Sequence, residues 1–95
     1  MKILALEHEV HRVNPEQTGS LLQREATQVW ELYQAGVFRE IYFNQQNHTA
    51  VIILECTGAD QAQEALASLP LVQAGLIEFE IVPLEPYNGF ERLFK

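Results

Sequence analysis

The sequence predicts an α+β domain with the element order β-α-β-β-α-β. Three observations predict it. Residues 21–35 and 59–68 carry apolar side chains three and four positions apart, the spacing of one helix face. Residues 2–10, 37–43, 49–55 and 76–84 instead show short apolar runs or strict alternation, the pattern of strands. The polar run Asn44-Gln45-Gln46-Asn47 joins the second and third strands with no room for a helix between them. This order is the split βαβ arrangement of ferredoxin-like domains, with one antiparallel sheet and both helices on one face.

Each element has a local cause. The first strand opens on Ile3-Leu4-Ala5-Leu6 and turns charged at Glu7, His8 and Glu9. Val13-Asn14-Pro15 reads as a turn, because the residue before a proline avoids the helical region. Ser20 then offers an N-cap for a helix starting at Leu21. Leu22, Ala26, Val29, Trp30 and Tyr33 form its apolar stripe, and Gly36 supplies the C-terminal glycine. In the second strand Phe38, Glu40 and Tyr42 point one way, and Val37, Arg39, Ile41 and Phe43 the other. The unbroken run from Ala50 to Leu54 predicts a third strand covered on both faces. Ala62, Ala65, Leu66 and Leu69 mark the second helix, which Pro70 ends. Ile77, Phe79 and Ile81 alternate with Glu78, Glu80 and Val82 in the fourth strand, and Pro83 marks its exit. Residues 85–95 form a tail with a Pro-Tyr-Asn-Gly turn followed by Phe90, Leu93 and Phe94.

Length and composition narrow the possibilities. The 95 residues make one domain, 1–95, and 47% of them are apolar, enough for a core with some left for an interface. Net charge is −7, which opposes binding to nucleic acid or to an anionic membrane. The single cysteine, Cys56, excludes an intrachain disulfide and suits a reducing compartment. No secretion signal or spanning segment is recognisable at the N-terminus, so the cytoplasm is the expected location. A four-stranded sheet with helices on one side leaves its other face bare. Strands that are apolar on both sides ask for a second layer there. A second copy of the chain is the economical cover, so a homodimer is expected, with the tail 85–95 packing on the partner.

The ordered set Gly36-Val37-Phe38-Arg39, hairpin, strand to Glu55, helix and Leu69-Pro70-Leu71 resembles the muconolactone isomerase family. The match runs over residues 21–84, with a short insertion at 72–75. The resemblance implies a dimeric α+β barrel made by two facing sheets, with a pocket beside each sheet, and allows a higher ring oligomer. It also implies a proton transfer beside a lactone carbonyl, which needs an acid, a base and donors for an enolate oxygen. Where that family carries an Asn and a Ser on the third strand, this chain has Ala50 and Ile52. Where it carries a helix lysine and an acidic neighbour, this chain has Leu22 and Arg24. Glu25 and Arg39 are the charged positions that persist.

Two residues are candidates for catalysis. His8 shares a strand face with Leu4 and Leu6, and imidazole is the side chain that changes charge near neutral pH. Arg39 offers a planar fork suited to a carboxylate, or to an ion pair with Glu55, Glu78 or Glu80. Trp30, Phe38, Tyr42 and Ile52 are the candidate binding residues. His8 and His11 lack a third ligand nearby, so no metal is expected. No phosphate-binding glycine loop or nucleophilic serine motif occurs, so no cofactor is expected either. Two functions fit. One is a cofactor-free isomerase, lyase or oxygenase acting on a small lactone-like or aromatic-derived molecule. The other is a non-catalytic module that binds a small ligand, or assembles, on the same scaffold.

Overall fold

The structure, a computed structural model, describes residues 1–12 and 14–94. Its elements are β1 (Lys2–Glu9), α1 (Pro15–Gln34), β2 (Phe38–Phe43), β3 (Ala50–Glu55), α2 (Ala59–Ala67), the short α3 (Pro70–Gln73) and β4 (Ile77–Pro83). A 3-10 turn, Gly89–Phe94, follows. The strands form one antiparallel sheet in the order β2-β3-β1-β4, with β1 and β3 inside and β2 and β4 at the edges. The α+β ferredoxin-like order read from the sequence is the order observed.

Strand β1 organises the two faces. Ile3 pairs with Leu54, and Ala5 pairs with Ile52 on one side and Ile81 on the other. These side chains face the helices and form the core with Phe38, Ala62, Leu66 and Leu69. The alternate residues look away from the helices. Leu4 lies between Ile53 and Val82, and Leu6 between Val51 and Glu80. These apolar residues are only half-buried. The apolar run of β3 therefore has one covered face within a single chain, where the sequence suggested two.

Three boundaries differ from the sequence reading, each for a local reason. Helix α1 begins at Pro15 rather than Leu21. Asn14 is its N-cap, its side-chain oxygen accepting the Glu16 N–H at 3.0 Å, with proline at the first helical position and Glu16 near the positive end. Asn14-Pro15 is thus a helix start, and Ser20 lies inside the helix; Val13, the first residue of the expected turn, is outside the described residues. Pro70 does not merely stop α2, which ends at Ala67; it opens α3, with Leu69 buried as the cap. In β2, Phe38 opposes Leu54 and Glu40 opposes Ile53, so Arg39 is the extra residue of a β-bulge. The bulge breaks the expected alternation. Phe38 faces the helices together with Ile41 and Phe43, while Glu40 and Tyr42 face the open side.

Gly36 closes α1 as expected. Its φ of +79° is the left-handed conformation, and the Val37 N–H returns to the Leu32 carbonyl at 3.0 Å. That turn feeds the chain straight into β2.

Phe38 is fully buried beneath the helices. Phe38→Ala is expected to cost about 3–5 kcal/mol, a large share of the ~5–15 kcal/mol that holds a domain together. Tyr42→Ala, on the exposed face, is expected to cost under about 1 kcal/mol. Urea unfolding midpoints of the two variants check both.

Candidate functional site

Two places concentrate chemistry, one on the helix side of the sheet and one around its β2 edge. The first is a pair of carboxylates. Glu7 follows Ile3 and Ala5 on the helix-facing side of β1, opposite Phe79. Its Oε1 accepts the Ala50 N–H at 3.1 Å, tying β1 to the start of β3. Glu25 comes from the middle of α1, where that helix packs on α3. Its Oε1 accepts the Leu71 N–H at 2.9 Å, across 46 residues of sequence.

Glu25 is half-buried, and its pKa is raised. Burial is the largest cause, because leaving water disfavours the charged form. The Leu71 N–H opposes this by stabilising the carboxylate, and the nearby charge of Glu7 adds to the rise. The nearby Gln28 reaches from α1 to the Ser68 hydroxyl at 2.9 Å, which fixes how α1 sits on the end of α2. The carboxylate is therefore held on a rigid element rather than on a loop.

The second place is a groove of about 470 Å³ between α1 and the edge strand β2. Ala26, Val29, Trp30 and Tyr33 form its helix wall, and Arg39, Glu40, Ile41 and Tyr42 its strand wall. The Trp30 and Tyr33 rings lie 5.9 Å apart between centroids. The Arg39 Nε donates to the Gly36 carbonyl, which anchors the guanidinium at the C-terminal end of α1. Tyr42 donates its hydroxyl to Glu40 Oε1 at 2.7 Å, and this bond to a carboxylate raises the Tyr42 pKa, with the charge of Glu40 adding to it.

The sequence candidates distribute as follows. Trp30, Tyr42 and Arg39 come together in the edge groove. Phe38 and Ile52 lie in the core beneath the helices and do not line it. His8 is on the open face, half-exposed, with its Nε2 3.5 Å from Glu80 Oε1. Arg39 follows Phe38, which lies level with Ile3 through Leu54. His8 is five residues farther along β1, roughly 17 Å at a strand's rise per residue. The fold does not bring His8 and Arg39 together within one chain. Among the described residues Arg39 makes no direct ion-pair contact with Glu55, Glu78 or Glu80, though its charge is one of the influences that lower the Glu55 pKa. Cys56 is buried, and burial raises its thiol pKa, as suits an inert side chain. Among the described residues no group of three or more His, Cys, Asp or Glu side chains is placed to hold a metal ion. Nor is any helix there long and apolar enough to cross a membrane.

The Glu7–Glu25 pair escaped the sequence reading as a pair. One signal was present. Glu7 has the same odd parity as Ile3 and Ala5, so a carboxylate stood at a core-facing position of β1.

No family model matches the sequence, and no curated protein is significantly similar to it. Solved structures do match, over nearly the whole chain. The fold is that of muconolactone isomerase. A crystal structure of that enzyme superposes with a TM-score of 0.78 over 93% of this chain and 92% of its own, at 16% identity. A 5-chloro-2-hydroxyhydroquinone dehydrochlorinase from Burkholderia phenoliruptrix AC1100, in complex with 2,5-dihydroxybenzoquinone, superposes with a TM-score of 0.61. That match covers 94% of this chain and 98% of the other, at 12% identity. The muconolactone isomerase-like resemblance carried by residues 21–84 thus agrees with the shape of the whole domain, and identities this low establish a shared fold alone.

The Glu25 shift has a defined sign. Its folded pKa lies above the ordinary value of 4.5. The protonated form is thus favoured by the fold, and the associated stability is full below that value and is lost as pH rises through the folded pKa. Glu25→Gln keeps an acceptor for the Leu71 N–H and removes the titration. Its urea midpoint, relative to the unaltered chain, is expected to be higher at neutral pH than at pH values below the ordinary carboxylate range.

Proposed function

We propose that the chain is a cofactor-free isomerase or lyase that moves a proton on a small lactone-like or aromatic-derived substrate, and that it works as a homodimer. The observation that carries this reading is Glu25, a half-buried carboxylate with a raised pKa, set beside Glu7 on the inner side of the sheet. A carboxylate destabilised in its charged form is a stronger base than one in water. In the proposed reaction Glu25 takes a proton from the carbon next to a carbonyl. The electron pair left behind moves onto the carbonyl oxygen as an enolate. Glu25 then returns the proton at a different carbon; in the elimination branch the carbonyl re-forms, a C=C bond forms as the neighbouring leaving group departs with its bonding pair, and Glu25 passes its proton to water. The same carboxyl serves as base and then as acid, so no external oxidant or cofactor is needed. The names of the two superposed enzymes, one an isomerase of a lactone and one a dehydrochlorinase of a substituted hydroquinone, support this choice of reaction class by analogy.

A second reading is favoured by a different observation. The Leu71 N–H already occupies Glu25, which gives that carboxylate a structural role as a tie between α1 and α3. With Ala50 and Ile52 on β3, the scaffold then serves as a ligand-binding or assembly module without chemistry.

The homodimer is proposed from the open face of the sheet. Leu4, Leu6, Val51, Ile53 and Val82 adjoin one another there by strand pairing and are only half-buried among the described residues. Such a contiguous apolar patch, rimmed by His8, Glu78 and Glu80, fits a self-complementary interface about a two-fold axis.

Muconolactone in deuterated buffer tests the reaction. Proton exchange or isomerisation followed by NMR is expected with the unaltered chain, and Glu25→Gln is expected to lower the rate by at least about 100-fold. His8→Ala is expected to keep its rate. The reverse result, with Glu25→Gln active and His8→Ala inactive, moves the chemistry to the open face. Binding without any turnover favours the module. In size-exclusion chromatography the chain is expected to elute as two copies even when dilute, and a stable folded monomer overturns the dimer.

A further inference from the structure

The last ten described residues are built as an arm. After Leu84, whose N–H still bonds the Lys2 carbonyl, the chain leaves the sheet. Phe90, Leu93 and Phe94 are 65%, 75% and 85% exposed and lie close together in sequence, a cluster of the kind that marks an interaction surface. The arm nevertheless has internal order. Tyr87 and Phe90 meet edge to face at 4.9 Å, and the Glu91 N–H bonds the Asn88 carbonyl. The Tyr87 ring lies over Gly89, where a side chain would have to push the ring aside. The radius of gyration is 15.5 Å and the longest dimension 60 Å, against about 12 Å for a compact chain of this length.

The groove between α1 and β2 is the matching half. It exposes Trp30, Tyr33, Ile41 and Tyr42 and carries one positive and one negative side chain, Arg39 and Glu40. The arm carries neighbours of the opposite signs in turn, Glu91 against Arg39 and Arg92 against Glu40. The Arg39 fork is held at the end of α1 through Nε, which leaves its outer edge for a carboxylate.

Topology decides which copy supplies the arm. The arm leaves from β4, and the groove lies along β2, at the opposite edge of the sheet. Within one chain these edges are three strand spacings, about 14 Å, apart. Between two chains they are neighbours. A two-fold axis running along the strands, between stacked open faces, sets β4 of one chain against β2 of the other at a sheet spacing of about 10 Å. Pro83 and Phe38 both lie level with Ile3, so the arm departs at the end of the sheet where Arg39 sits.

We propose that the groove between α1 and β2 is the seat for the arm, Tyr87 to Phe94, of a second copy of the chain. The apolar side chains of the arm cover Trp30 and Tyr33, and Glu91 and Arg92 pair with Arg39 and Glu40. Each copy gives one arm and receives one. The inference rests on the homodimer proposed above and adds to it the residues that lock it.

Trp30 is the only tryptophan and is 56% exposed in the single chain, so its emission reports the seat directly. The experiment follows Trp30 emission and acrylamide quenching through a dilution series of the full chain, with mass measured by light scattering on the same samples. The dimer is expected to show blue-shifted, protected emission that reverts as it dissociates. Leu93→Asp with Phe94→Asp is expected to remove the protection. Arg39→Glu and Glu91→Arg are each expected to weaken association by about fivefold, and an equal mixture of the two to recover it. A dimer whose Trp30 stays exposed, as in the Leu93→Asp/Phe94→Asp variant, overturns the seat and leaves the dimer standing. A monomer with protected Trp30 places the arm in its own groove and overturns the exchange. A monomer with exposed Trp30 overturns both readings.

Discussion

Everything in this domain depends on β1 being paired on both sides. β3 and β4 each register against it, so its odd residues set the core and its even residues set the open face. Ile3 and Ala5 are fully buried beneath the helices. Leu4 and Leu6 carry the same kind of side chain to a face that the described residues leave half-open. A strand that is apolar on both sides, in a sheet with one helical layer, is a constraint that a single copy satisfies only by half. The polar features follow the same parity. Glu7, on the odd side, adds its charge to the surroundings of Glu25, and His8, on the even side, meets Glu80 near water.

The placement of Glu25 shows how packing and chemistry share one residue. The carboxylate bonds the backbone of α3 and so helps join α1 to the end of the α2–α3 segment. It is also the group whose charge the interior disfavours. Those effects oppose each other, since the Leu71 N–H lowers the same pKa that burial raises. A residue held in that balance is sensitive to small changes in hydration. Closing a ligand or a second chain over the helix side would strengthen the desolvation and leave the hydrogen bond intact.

Much of the fold was legible because it rests on periodicity. The alternation of Ile77, Phe79 and Ile81, the stripe through Val29 and Trp30, and Gly36 at positive φ all carry their meaning locally. The start of α1 was misread because both Asn14-Pro15 and Ser20 satisfy the rules for a helix start, and the upstream cap prevailed when its side chain met the Glu16 N–H. The facing of β2 was misread because a bulge is set by pairing with β3, which no short window of sequence contains. The site was harder still. Glu7 and Glu25 are far apart in sequence, and their relation exists only once α1 lies on the sheet. Phe38 and Ile52 looked like pocket walls because apolar residues of a core and of a cavity have the same composition. Arg39, Trp30 and Tyr42 do share a groove, reached by one long helix and the strand that follows it.

The bulge at Arg39 has a wider consequence. β2 is an edge strand, and it exposes Ile41, Tyr42 and Phe43 to water. A flat edge of that composition is a template on which further strands add without limit, the route to fibrils. One extra residue with a cationic side chain twists the start of that edge out of register and places a charge beside it. A bulge carrying a cation at the head of an exposed edge strand has the form of the devices by which natural sheets keep their edges from pairing further.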